Sequence, residues 1–141
     1  MDKVIGLDLG KKTLGIAYND SLGFVHGIET YYFKAFDYVD AANHTHEVAK
    51  NKGVKEFALG LPLHLSGNMS EMANNVMTFK KILEALDPSY KIELVDERLT
   101  SVQAHRTLSE LNVNHETRKA KVDTYAACEI LDTYIRRKGN M

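Results

Sequence analysis

Hydrophobic positions along the chain fall into two kinds of run. KVIGLDL (3–9), VKEFALG (54–60) and YKIELVDE (90–97) are short and rich in Val, Ile and Leu, the pattern of strands buried in a sheet. TLGIAYND and GFVHGIETYYF add β-branched and aromatic residues after the turns at GKK and DSL, so the first three strands are expected to form an antiparallel meander. Elsewhere the period lengthens to three or four. Val39, Ala42, Thr45, Val48 and Ala49 predict a helix from Asp37 to Lys52, stopped by Gly53. Met72, Val76, Phe79, Ile82, Leu83 and Leu86 make one apolar stripe. Asn68 and Glu71, at capping-box spacing, put the start of that helix near Asn68, and Pro88 ends it. Thr100 and Gln103 repeat the signature for a helix running to about Leu111, NVNHETRKAK reads as a polar basic connection, and VDTYAACEILDTYI as the last amphipathic helix. Strands that alternate with helices after a meander imply one α/β domain over 1–141. Its mixed five-stranded sheet has three antiparallel strands plus two parallel ones, flanked by helices.

Composition narrows this picture a little. A chain of 141 residues, 44% hydrophobic and 26% charged, suits a single globular domain. Lys plus Arg is 18 against 19 Asp plus Glu, so any site for a polyanion must be a local patch. The single cysteine, Cys128, excludes an intramolecular disulfide and sits in an apolar helical stretch, where it is expected to pack as a small core residue. MDKVIGL lacks the features of a signal peptide and no run approaches the length of a membrane span, so the cytoplasm is the expected compartment, with no membrane partner.

Three carboxylates stand where apolar residues are expected. Strand alternation puts Ile5, Leu7 and Leu9 on one face and Val4, Gly6 and Asp8 on the other, so helices covering both faces would bury Asp8. A buried carboxylate needs a cation, a metal or a set of donors, unless Asp8 merely accepts hydrogen bonds from the GKK turn at the strand end. In VDERL, Asp96 shares a face with Ile92 and Leu94 while Glu97 shares one with Glu93 and Val95, and alternation does not choose between the two acids. Asp-Glu-Arg clusters are often solvated ion pairs, but sites in such sheets gather at strand carboxyl ends. Asp123 heads the apolar row Ala127, Leu131 and Ile135, as a site residue or as the N-cap of a helix starting at Thr124. Carboxylates with Lys11, Lys12, Arg98, Arg118, Lys119 and Lys121 near them in sequence suit Mg²⁺ or Mn²⁺ and a phosphate backbone. A helix opening at Thr100 could offer amides to a phosphate.

DLGKKTLGIA, GLPLHLSG, DERLTSVQA and KVDTYAACEIL, in this order, resemble the YqgF (RuvX) family of RNase H-like proteins, described as pre-16S rRNA nucleases and as Holliday junction resolvases. The resemblance implies an RNase H-like fold and a cytoplasmic nuclease that depends on Mg²⁺ or Mn²⁺. Its motif carboxylates fall on Asp8, Glu97 and Asp123, and the resemblance rather than alternation prefers Glu97 to Asp96. It also implies phosphate contacts from Lys12 and Arg98, and the candidate nucleic-acid-binding set is Lys11, Lys12, Arg98, Thr100, Lys119 and Lys121. The implied partner is nucleic acid: a precursor of 16S rRNA processed at its 5′ end or, alternatively, branched DNA, cut by a monomer or a homodimer. His64 stands where the family often has Asn, and Asn19 where it often has Ser. His44 and His46 share no helical face and are expected to be solvated. Two other classes compete. Sugar kinases and actin-like ATPases share a DxGxxxxG turn but need two lobes, and a non-catalytic binding module could keep the fold without the chemistry.

Overall fold

The turns and periods above resolve into five strands and three long helices among the described residues. The computed structural model describes residues 2–100, 102 and 115–139, with side chains throughout except at 115–123. The strands are β1 Ile5–Leu9, β2 Thr13–Asn19, β3 Val25–Tyr32, β4 Glu56–Leu61 and β5 Lys91–Asp96. The helices are α1 Tyr38–Lys52, α2 Glu71–Leu86 and α3 His115–Gly139, and a 3₁₀ turn covers Glu97–Leu99. The sheet order is β3-β2-β1-β4-β5, antiparallel across the meander and parallel from β1 through β4 to β5, as expected.

Alternation sorts the core into two layers. Ile5, Leu7, Leu9, Leu14, Ile16, Phe57, Leu59 and Ile92 meet Ala41, Ala42 and Ala49 of α1 and Val76, Phe79 and Leu83 of α2. On the other face Val4, Ala17, Ala58 and Val95 meet Ala126, Ala127, Ile130, Leu131 and Tyr134 of α3. This second layer is built from small residues. A Cβ on Gly6 would lie 2.7 Å from both the Ala127 carbonyl oxygen and Leu131 Cβ, so α3 rests almost on the β1 backbone. The direction of α3 follows from its contacts. Near its C-terminus Tyr134 and Lys138 donate to Glu56 at the start of β4, Ala127 and Leu131 lie over Gly6, and Thr124 meets Thr30 of β3 hydroxyl to hydroxyl at 2.6 Å. The N-terminal half of α3 therefore points toward the carboxyl ends of β1, β4 and β5.

Two boundaries differ from expectation. Helix α1 starts where predicted, with the Asp37 carboxylate accepting from Asp40 N at 3.1 Å and Gly53 closing it at φ 66°. The cap of α2 is Ser70 rather than Asn68: Ser70 Oγ accepts from Ala73 N at 2.9 Å and donates to the Pro62 carbonyl. Asn68 is drawn into a preceding turn, its carbonyl accepting from His64 N at 3.0 Å. The stretch read as a basic connection is helical from His115 onward, because HETRKAK holds strong helix formers and no Gly or Pro. Asp123 is consequently inside α3, not at its cap. The helix expected from Thr100 to Leu111 lies almost wholly outside the described residues; Val102 is helical and buried. No helix among the described residues is long and apolar enough to cross a membrane.

Candidate active site

Asp8 is the penultimate residue of β1, on the face covered by α3, and only 3% of it is exposed. Its neighbours across the sheet leave it room. Gly15 pairs with it on β2, and on β4 the register Leu7 to Leu59 brings Gly60 level with it. Gly60 in turn pairs with Val95 of β5, two residues before Glu97. Glu97 opens the 3₁₀ turn after β5 and is 1% exposed, as buried as the core leucines. A Cβ on Gly60 would stand 3.3 Å from Glu97 Oε1 and 2.5 Å from Ile130 Cδ1, so the glutamate carboxylate lies over β4 in the space that the glycine leaves. Two carboxylates from β1 and from the end of β5 thus share one buried face with a glycine strand position between them.

The turn that presents Glu97 is fastened by its neighbours. Asp96 Oδ1 accepts from Arg98 N at 2.9 Å, and the Arg98 guanidinium grips the same carboxylate from Nε at 3.0 and 3.1 Å and from Nη2 at 2.6 Å. That guanidinium holds the Asp96 carboxyl below its ordinary value against the smaller opposing effect of burial. Asp96 is therefore engaged by Arg98, and Glu97 is the more buried of the two acids. Arg98 Nη1 also donates to the Leu65 carbonyl at 3.3 Å, tying the loop after β4 to this turn. Thr100 Oγ1 donates to Glu97 O at 2.8 Å and accepts from Val102 N at 3.2 Å, so its hydroxyl closes the turn.

The remaining expected residues divide by place. Lys11 and Lys12 are exposed in the turn between β1 and β2, at the end of the strand that carries Asp8. Lys119, Lys121 and Asp123 are on α3, with side chains outside the described set; Asp123 is one turn before Ala127, on the half of the helix directed to the Asp8 end of the sheet. His64 is exposed in its loop. Cys128 is half buried against the sheet, and burial pushes its thiol up.

His44 and His46 are not solvated as expected. The His44 ring stacks on Tyr31 at 3.7 Å and bonds Glu29, and His46 Nδ1 lies 2.6 Å from the Tyr90 hydroxyl. Both rings pack because α1 runs beside aromatic residues distant in sequence. Asn19 also has a role that its position in the sequence did not announce: fully buried, it accepts from Val4 N at 2.6 Å and donates to Asp2 O at 2.9 Å, pinning the segment that enters β1.

The donor set favours a hard cation. Asp8 and Glu97 are carboxylates, the ligand type of Mg²⁺ and Mn²⁺. Among the described residues no three His, Cys, Asp or Glu side chains converge on one point.

Residues 2–137 match the family described as RuvX: Holliday junction resolvase. The chain is 36% identical over 138 residues to a protein of Natranaerobius thermophilus named "Putative pre-16S rRNA nuclease", covering 98% of this chain and 96% of that one. Its fold is similar to that of T. thermophilus RuvC in complex with Holliday junction substrate, with a TM-score of 0.60, 14% identity and coverage of 99% and 97%. A weaker likeness, TM-score 0.50 at 13% identity, reaches a "putative sugar kinase" from Cytophaga hutchinsonii, covering 74% of this chain but 38% of that one.

Proposed function

The chain belongs to the RuvX family, and we propose that it hydrolyses phosphodiester bonds in structured nucleic acid through Asp8, Glu97 and Asp123. The observation that carries this reading is the burial of Asp8 and Glu97 on one sheet face, with Gly60 between them. Carboxylate oxygens are the ligands that Mg²⁺ and Mn²⁺ select. Such a cation would be held by Asp8 and Glu97, with Asp123 supplied by α3. When bound, such a cation offsets charge on the scissile phosphate and makes water a stronger acid.

The protein residues have separate tasks in this scheme. Asp8 and Glu97, on a strand end and a clamped turn, hold their oxygens in fixed positions. Lys11 and Lys12 beside the Asp8 strand, with Lys119 and Lys121 on α3, attract and orient the phosphate backbone. Arg98 acts chiefly through Asp96, keeping the Glu97 turn in shape, and offers its outer edge to a phosphate. Thr100 steadies the same turn.

The substrate we favour is the 5′ end of a 16S rRNA precursor, processed in the cytoplasm during ribosome biogenesis, in line with the name of the relative from Natranaerobius thermophilus. Cleavage of four-way DNA junctions is the second reading, supported by the family description. A symmetric junction cut needs two sites and hence a homodimer, whereas trimming an RNA end needs one. A panel of precursor rRNA ends and four-way junctions, with the oligomeric state measured in the same Mg²⁺ buffer, separates them. Cleavage of the RNA by a monomer is expected; cleavage of junctions alone by a dimer would replace the first reading with the second.

A further inference from the structure

Beside the carboxylates, the meander edge carries a feature that neither the core nor the site uses. Tyr32 ends β3 opposite Thr13 and is 60% exposed, and Phe36, in the link to α1, is 53% exposed. Hydrogen bonds tie both segments to the lysine turn: Phe33 N donates to Lys12 O at 2.9 Å and Phe36 N to Lys11 O at 2.8 Å. Lys11 and Lys12 in that turn and Lys34 between the two aromatics in the chain are all exposed, and none of them pairs with an acid among the described residues. Asp37, the acid nearest in sequence to Lys34 and Phe36, is engaged in capping α1.

The backbone at Phe36 sharpens the point. Its φ is 63°, the one left-handed non-glycine residue among those described, and such a value is an outlier for a bulky side chain. Glycine adopts it without strain, so stability alone does not favour phenylalanine there. Burial does not account for the ring either, which leans edge-on to Tyr38 at 6.4 Å and leaves half its surface in solvent.

Position links Tyr32 to the carboxylates, and the bond from Phe36 N to Lys11 O sets Phe36 beside the turn that follows the Asp8 strand. Alternation places Tyr32 on the face of Thr30, which meets α3, and therefore on the face of Asp8. Two strand spacings across the sheet and two residues along it separate Tyr32 from Asp8, about 12 Å between backbones. We propose that Tyr32 and Phe36, with Lys11 and Lys12 in the adjoining turn and Lys34 between them in the chain, form a stacking platform for an unpaired strand leading into the Asp8 and Glu97 site. Aromatic rings among lysines suit single strands, because bases free of a duplex offer π-faces to stack on while lysines follow the phosphates. The inference rests on the nuclease reading and deepens it: the substrate has an unpaired flank, as a precursor RNA end does and a fully paired junction does not.

Fluorescence anisotropy in EDTA isolates binding from cleavage. The full chain is titrated into a short labelled single-stranded RNA and into a blunt duplex of the same sequence, as wild type and as Tyr32→Ala, Phe36→Ala, Phe36→Trp and Phe36→Gly. Each alanine variant is expected to bind the single strand about tenfold more weakly while duplex binding is unchanged, and Phe36→Trp to restore it. Phe36→Gly separates function from fold, since it relieves the backbone and keeps or raises the thermal midpoint yet binds like Phe36→Ala. Changing all three lysines to glutamine lowers the salt slope for the single strand by about 2. Variants that bind the single strand as the wild type does, or that lose duplex binding equally, overturn the platform while leaving cleavage by the wild type intact. A wild-type chain that binds neither RNA overturns the nuclease reading of RNA and the platform together.

Discussion

Replacing Gly6 by alanine puts a methyl group where α3 already stands. The new Cβ lies 2.7 Å from the Ala127 carbonyl oxygen and 2.7 Å from Leu131 Cβ, atoms of the helix backbone or next to it that no rotamer change can move aside. Carbon contacts relax at about 3.5–4.0 Å, so α3 must retreat from β1 by roughly 0.8 Å or more. Overpacking of this kind costs about 1–3 kcal/mol, which in a domain of this size lowers the thermal midpoint by roughly 3–10 °C. The same retreat carries Asp123 away from Asp8, and a misplacement near 1 Å costs about 100-fold in rate. Circular dichroism melting and single-turnover cleavage at 25 °C, well below the midpoint, read the two effects separately. Gly139→Ala is the control, because its Cβ meets nothing within 4 Å. A Gly6→Ala protein that melts with the wild type refutes the close seating of α3. One that melts early but cleaves at the wild-type rate refutes the coupling between the seat of α3 and the site.

Asn19→Ala removes the acceptor for the buried Val4 amide and is expected to cost about 1–3 kcal/mol in urea unfolding. Ser70→Ala leaves the Ala73 amide without its cap and should cost about 1 kcal/mol by the same measurement. Burial pushes the Glu56 carboxyl up, but hydrogen bonds from Lys138 and Tyr134 and the Lys138 charge outweigh it and hold the group below its ordinary 4.5. Because the folded value is the lower one, the stabilisation is complete above the unfolded value and fades as pH falls through the folded one. Stability curves taken across that acid range should therefore be flatter for Glu56→Gln than for the wild type.

Much of this was legible in the residues, and the parts that were not share a cause. Strand alternation read Asp8 onto the face opposite Leu7 because both neighbours in β1 are apolar and the run is short, and the meander followed from its turns. Alternation within β5 could not tell which of Asp96 and Glu97 is buried, since that depends on how β5 aligns with β4 and β4 with β1. Asn68 and Ser70 both look like caps, and the turn that accepts His64 N decides between them. The start of α3 was obscured because HETRKAK carries no apolar row, while helix propensity extends the helix regardless. His44, His46 and Asn19 meet partners far away in sequence, and no local pattern announces them.

The central claim is that Asp8 serves chemistry rather than structure. Cleavage of a precursor 16S rRNA 5′ end in Mg²⁺, measured in single turnover for wild type and Asp8→Asn with RNA binding recorded alongside, tests it most directly. Asn keeps the size of the side chain and removes its charge, so the variant is predicted to fold and bind RNA while cleavage falls by about 1000-fold or more. Cleavage by Asp8→Asn at the wild-type rate would contradict the account.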